Sequence, residues 1–281
     1  MRLVTLIKTV LRLIRKPSRW KYTSKGYCPA CDQKAWFVCN LDTKKGIANL
    51  ISTWDSGARF KQMLIERENH FCCYCQASVR IRYHANCTLN LMGLSSSAQL
   101  IKALTNHADF RIFETAAYNV FRNARLRKLP NYVVSEYREN GPLGAPLDGV
   151  RNENLESLTF PENTFDIVLT SDVLEHVADL DKALSEIKRV LKSGGRHIFT
   201  IPVDPDLPVT KERARIRGGQ LEHLMKPVMH GDSIRAEGIL AFRDFGADVL
   251  QYLTREGLAC KESTYDVPGK FVASVYYAQK G

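Results

Sequence analysis

Apolar and polar positions change rhythm between Asn154 and Pro202. A continuous apolar run, Ile167, Val168 and Leu169, gives way to Val177, Leu180, Leu184, Ile187 and Leu191 at three- and four-residue spacing, and then to Ile198, Phe199 and Ile201. The outer runs read as buried strands and the middle one as a helix with a single apolar face, which together make one parallel crossover unit. Asp172 is the expected N-cap, Arg189 and Lys192 suit the C-terminal dipole, and Gly194 and Gly195 are the expected stop.

The flanking patterns extend this unit. Arg111 to Glu114 (RIFE) reads as a first strand, AAYNVFRNARL as the helix after it, and NYVVSEY as a second strand. After Pro202 a long polar stretch rich in Pro and Gly, about 203–246, reads as an inserted lid over the strand ends. ADVLQYLTREGL then predicts a helix, and CKESTYDV and KFVASVYYAQ two closing strands. Upstream, Ala77 to Leu104 is helical in pattern with a break at Ser95, Ser96 and Ser97, where a serine can cap a new helix. Arg80 and Arg82 near its start have two readings, a grip on an anionic substrate group or pairing with acids.

Met1 to Lys16 interleaves leucine, isoleucine and valine with basic residues, which predicts an amphipathic helix closed by Pro17. At ~1.5 Å per residue it is about 24 Å long, too short and too charged to cross a bilayer core. Two readings stand for residues 1–19. They rest peripherally on an anionic membrane surface, with Trp20 and Tyr22 at headgroup level, or they pack on protein.

A chain of 281 residues, 44% hydrophobic, can bury one sizeable core and a small satellite domain. Its formal charge is +10, but eight basic residues and no acid precede Gly26, which leaves +2 for the rest. The basicity is therefore terminal, and nucleic acid is not an expected partner of the body. Eight cysteines without an evident secretory signal point to a reducing, cytoplasmic setting.

Four of those cysteines form two C-x-x-C pairs, Cys28 with Cys31 and Cys72 with Cys75. Two such pairs can place four thiolates at the corners of a tetrahedron, the arrangement of structural zinc. Cys73 adjoins Cys72 and is an alternative ligand, with Cys39 and Cys87 nearby; buried or redox-active thiols are the competing reading. A closed four-sulfur shell leaves no position for water, so its expected role is structural or recognitional. The expected division is a basic helix and linker over 1–25, a zinc-knuckle domain over 26–95 and a main domain over 96–281.

The wording from Asn154 to Pro202 closely resembles the central part of class I S-adenosylmethionine-dependent methyltransferases: an amide, Phe, a short Pro turn, aromatic-Asp-apolar, Glu-His-Val, and Leu-Lys-x-Gly-Gly before a strand. The resemblance covers roughly residues 108–281. It implies an α/β fold with a Rossmann-like sheet, mostly parallel, seven-stranded and with an antiparallel last strand, alongside the small zinc-knuckle domain. The cofactor it implies is S-adenosylmethionine, to which the two C-x-x-C pairs add structural zinc.

In such proteins the first strand leads into a Gly-rich turn, which here reads Glu114-Thr115-Ala116-Ala117-Tyr118-Asn119 without a glycine. A positive-φ position filled by an ordinary residue costs ~1–2 kcal/mol. The resemblance places Glu114, Thr115 and Ala116 near the methionine part of the cofactor. Glu136, beside Tyr137, ends the second strand 22 residues after Glu114, a spacing that suits a ribose-binding acid. Asn154 and Leu155 occupy the adenine positions, where the family usually has Asp for Asn154. Thr170 to His176, with Ser171 and Asp172, lie at the mouth of the site.

Methyl transfer is an in-line displacement at carbon, so the protein mainly positions donor and acceptor. An alcohol acceptor also loses a proton, for which His176, and His230 with Asp232 in the lid, are the candidate groups. The expected activity is O-methylation of a small-molecule or glycan-linked hydroxyl. A catalytically inactive relative serving as a zinc-dependent binding module is the alternative. A zinc-ribbon nucleic-acid binder fits the near-neutral body poorly, and a nicotinamide dehydrogenase lacks its G-x-G-x-x-G after the first strand.

Overall fold

The computed structural model describes residues 20–116, 120–232, 235–254, 258–267 and 271–281, so the basic helix expected over 1–16 lies outside the described residues. The chain divides into two compact units. One comprises residues 1–106, 119–126 and 264–274, and the other 107–118, 127–263 and 275–281.

The first unit opens with three antiparallel strands, β1 (Trp20–Cys28), β2 (Gln33–Asn40) and β3 (His70–Cys72), in the order β1-β2-β3. Between β2 and β3 lie α1 (Leu41–Ser52) and α2 (Ala58–Asn69), whose Ile51, Phe60, Leu64 and Ile65 form a small core of their own. Asn40 caps α1 by accepting from the amides of Asp42 and Thr43. Helices α3 (Val79–Leu91) and α4 (Ser97–Asn106) follow, separated at the serine run as the sequence predicts. Arg80 is buried and bonded to Glu68 at 2.7 Å, and Arg82 lies over the Phe37 ring at 3.7 Å. Both side chains are spent on internal contacts, so the substrate-grip reading of these arginines gives way to a packing one.

The second unit is built on a sheet. Its strands are β4 (Ile112–Thr115), β5 (Tyr132–Glu136), β6 (Pro146–Leu147), β7 (Val150–Asn152), β8 (Phe165–Ser171) and β9 (Leu191–Thr200), with short strands β10 (Lys211–Glu212) to β15 (Arg243–Asp244) outside it. Two further strands, β16 (Cys260–Val267) and β17 (Phe271–Gln279), complete an eight-stranded order of β16-β17-β9-β8-β4-β5-β7-β6. The pairs among β7, β5, β4, β8 and β9 are parallel, whereas β17 runs antiparallel to β9. This is the expected mostly parallel sheet with its reversed last strand, extended by the two-residue edge strand β6.

Helix α5 (Leu180–Val190) joins β8 to β9 and buries Leu180, Ala183, Leu184, Ile187 and Val190 against Phe113, Phe165, Val168 and Phe199. Its cap is Asp179, which accepts from the Lys182 amide at 3.0 Å, rather than Asp172. Asp172 stops the strand instead, with φ 52° and a bond from the Thr200 hydroxyl. Gly194 and Gly195 likewise do not stop the helix, which ends at Val190. They form an irregularity within β9, where Gly194 has φ 75° and a Cβ on Gly195 would meet the Phe165 carbonyl at 3.1 Å.

The helix expected after β4 is also not formed over 120–126, which holds turns and the start of a 3-10 turn at Leu126–Lys128. Its amides find other acceptors: Arg122 donates to the Ala30 carbonyl and Arg125 to the Asn123 side chain. Near the C-terminus α6 (Val249–Leu253) precedes the two closing strands, as predicted.

Candidate active site

Leaving β4, the chain builds β5 and β7 on one side and β8 and β9 on the other, so the strand order reverses beside β4. In an open α/β sheet such a switch point leaves a crevice beyond the carboxyl ends of the strands, and that is where ligands bind. The sequence-predicted residues fall along this crest. Thr115 ends β4 and Ala116 follows it, Glu136 ends β5 with Tyr137 next, Asn154 and Leu155 lie just beyond β7, and Ser171 and Asp172 lie at the end of β8.

Their local states differ. Ala116 sits in the left-handed region at φ 62°, the conformation a glycine would hold without strain. Ala117, Tyr118 and Asn119 lie outside the described residues. Glu114 is buried and accepts from the Tyr132 hydroxyl at 2.7 Å; burial, and secondly this carboxylate, push the tyrosine well above its ordinary pKa. Glu136 is half-buried, and its carbonyl accepts from the Glu153 amide. The Asn154 side-chain oxygen accepts from the Glu156 amide at 2.9 Å, a local turn that leaves the oxygen its second lone pair. Leu155 is buried in the main core.

The lid segment packs over the turn that follows β8. Three short ribbons form within it, pairing β10 with β15, β11 (Ala214–Arg217) with β12 (Gln220–His223), and β13 (Met229–His230) with β14 (Ile239–Leu240). Buried Arg243 donates to the carbonyls of Leu174, Val177 and Ala178, and the Phe242 amide donates to the Glu175 carbonyl at 2.8 Å. Arg235 bonds Asp232 at 2.6 Å and the Tyr137 carbonyl at 2.9 Å, which ties the lid to the residue after β5.

This docking brings two histidines from distant parts of the chain together. His176 and His230 lie with ring centroids 4.7 Å apart and planes nearly perpendicular. His176 Nδ1 is 2.8 Å from the Leu240 carbonyl, which can only accept, so Nδ1 carries the proton and the lone pair is on Nε2. Burial holds this imidazole below its ordinary pKa, so it is neutral at pH 7. Glu175, fully buried, completes the group and was missed in the sequence. In the sequence it falls within the Glu-His-Val wording and the stretch Thr170 to His176, which give it a place at the mouth of the site but no role of its own.

In the first unit Cys28, Cys31, Cys72 and Cys75 converge, with all four sulfurs within 4.8 Å of one another. Cys28 to Cys75 is 3.8 Å and Cys31 to Cys72 is 3.9 Å, against an edge of about 3.8 Å for a tetrahedron with Zn–S bonds of ~2.3 Å. The two turns repeat one geometry: Asp32 and Gln76 each follow the second cysteine at positive φ and donate to the carbonyl of the first. Thiols this close share protons, so bonds from Cys28 and its neighbours hold Cys72 below its ordinary pKa while Cys31, facing Cys28, is raised. Cys73 stands outside the cluster, its amide bonded to the Trp36 carbonyl. The four sulfurs could hold zinc as a knuckle pair.

Residues 132–199, from β5 through β9, match the family model described as a methyltransferase domain. Over this stretch the chain is similar to methyltransferase domains. The sheet that carries it has a Rossmann-like, mostly parallel order with β17 reversed. The ubiquinone/menaquinone biosynthesis C-methyltransferase of Hydrogenovibrio crunogenus is 58% identical over 43 residues, 15% of this chain and 17% of that protein. The Pasteurella multocida protein of the same name is 58% identical over 56 residues, 18% and 21% of the two chains. The chain thus spans about a fifth of the length of these curated relatives.

Among solved structures, an S-adenosylmethionine dependent methyltransferase from Mesorhizobium loti aligns over 65% of this chain and 96% of its own, at 14% identity and TM-score 0.36. The Burkholderia thailandensis 1,6-didemethyltoxoflavin-N1-methyltransferase, with bound 1,6-didemethyltoxoflavin and S-adenosylhomocysteine, aligns over 64% and 76%, at 16% identity and TM-score 0.34. No helix among the described residues is long and apolar enough to cross a membrane.

Proposed function

We propose that the chain is an S-adenosylmethionine-dependent methyltransferase that methylates a hydroxyl on a small molecule or glycan. The observation that carries the first half is the similarity to methyltransferase domains over the strands whose ends form the switch-point crevice. The residues there fit a nucleoside with a cationic tail. Glu136 offers a half-buried carboxylate suited to two ribose hydroxyls, Asn154 keeps a lone pair for an exocyclic amine, and Ala116 presents only a methyl group at the left-handed turn. When bound, the cofactor supplies a methyl group already activated by its sulfonium.

The chain's own task is then to orient the acceptor, exclude water and receive a proton. Neutral His176 has an Nε2 lone pair that can take a proton from an alcohol, and His230 stands beside it in the lid. A carbon or amine nucleophile would have less use for this pair. Zinc in the four-cysteine cluster would hold the first unit together without joining the chemistry, since all four corners are filled by sulfur.

The test is turnover of the full chain with S-adenosylmethionine and pooled hydroxylated and glycosylated acceptors. Release of S-adenosylhomocysteine with one methyl gained on an acceptor oxygen supports the proposal. Methylation only at carbon or nitrogen would refute the hydroxyl assignment and keep the transferase.

A further inference from the structure

Glu175, His176 and His230 present one carboxylate oxygen and two imidazole nitrogens, all within 4.8 Å of one another. Glu175 Oε1 lies 3.7 Å from His176 Nε2 and 3.8 Å from His230 Nδ1. Both separations are too long for hydrogen bonds between the groups. They exceed by only a few tenths of an ångström the roughly 3.0–3.4 Å that separates neighbouring ligand atoms when each stands about 2.0–2.2 Å from a shared cation.

Three supporting features point the same way. The Leu240 carbonyl takes the Nδ1 proton of His176, so the lone pair of Nε2 is turned toward Glu175, which is how a ligating imidazole is commonly oriented. The carboxylate is fully buried, and a buried carboxylate calls for positive charge; Arg243, whose guanidinium donates to the carbonyls of Leu174 and Val177, is near enough to supply part of it. His230 is held in place by its hairpin: at Gly238 a Cβ would come within 2.3 Å of the His230 carbonyl oxygen, so only glycine lets β14 close on β13 here.

We propose that Glu175, His176 and His230 form a divalent-cation site, distinct from the four-cysteine cluster, that pins the lid to the turn after β8. Two nitrogens and an oxygen suit a borderline ion such as Zn²⁺, Mn²⁺ or Fe²⁺. Three protein ligands leave a position for an oxygen donor, and a hydroxylated acceptor bound there would have its hydroxyl acidified. In that state the two imidazoles act as ligands, and the cation takes over the proton-withdrawing role given to them above. The site stands or falls independently of the transferase reading, because its test reads cation binding alone.

The full chain, purified under reducing conditions and stripped of loosely held metal, is dialysed against Zn²⁺ and its metal content measured. The expected result is two equivalents per chain in the wild type, one for each cluster, and one in His230→Ala. A single equivalent in the wild type, or a second one that persists in a folded His230→Ala, overturns the site. Should that variant fail to fold, the wild type decides: Zn²⁺ must protect His176 and His230, among its seven histidines, from carbethoxylation. Equal modification of those two with and without Zn²⁺ also overturns it.

Discussion

Ala116 holds φ 62° where its own Cβ crowds the backbone, at the point where the chain leaves the first parallel strand. The strain is local, so it is testable by one atom. Ala116→Gly removes a penalty of ~1–2 kcal/mol and gives back ~0.4–1 kcal/mol in chain entropy. Denaturant unfolding should show the variant more stable by about 0.5–1 kcal/mol; a loss of stability would mean that the methyl group is needed for packing. The cysteines allow an equally sharp contrast. Cys72→Ser should abolish retention of zinc at the knuckle cluster, whereas Cys73→Ser should leave it intact, as read by metal content after chelator-free reducing purification. Sequence spacing left Cys72 and Cys73 interchangeable, because adjacent residues share a spacing within one. The turn decides between them, since the Cys73 amide is fixed to Trp36 and the Cys72 sulfur faces Cys31.

At the scale of elements, helix α5 and the strands around it were legible because burial alone sets their periodicity. What sequence could not show is how the helix is tied to the loop after β7. Glu186 accepts from the Leu158 amide at 2.8 Å and pairs with Arg189, which also donates to the Leu158 and Phe160 carbonyls. The bond from Arg189 holds the Glu186 carboxyl below its ordinary 4.5. Such a group stabilises the fold fully above the unfolded value, and the contribution fades as pH falls through the lower folded one. Glu186→Gln should therefore cost about 1 kcal/mol at neutral pH, modest because Arg189 is a third exposed. Urea unfolding should show the gap between variant and wild type closing below pH 4.5; a gap constant with pH would assign the cost to lost packing.

Other elements resisted the sequence for identifiable reasons. The run from Val120 to Leu126 has helical composition, yet its amides are claimed by Ala30 and by Asn123, partners that no local pattern reveals. The lid read as a polar connection, and its ribbons have only two to four residues per strand, too short for alternation to register. Its decisive contacts are made by single residues, Arg213 to Asp244 and the Lys226 carbonyl, and Arg243 to the turn after β8. The histidine pair is 54 residues apart in sequence, so only the docked lid could show that His176 and His230 meet beside Glu175.

For the whole molecule, the two units answer to different forces. The first buries Val38, Ile81, Leu89 and Leu100 besides the cluster of Ile51, Phe60, Leu64 and Ile65, and zinc on its four cysteines would add to what that apolar burial supplies. The second rests on a continuous core on the face of the sheet covered by α5, and it carries the crest on which the functional proposal depends. Removing zinc with a chelator should lower the melting temperature of the first unit's transition and leave S-adenosylmethionine binding by the sheet crest to be measured separately.

That binding is the most direct measurement. Calorimetric titration of the full chain with S-adenosylmethionine should show one site, weakened about 10- to 100-fold in Glu136→Ala as charge-assisted bonds to the ribose are lost. A wild type that takes up no cofactor, or a folded Glu136→Ala variant that binds it as tightly as the wild type, would contradict the account.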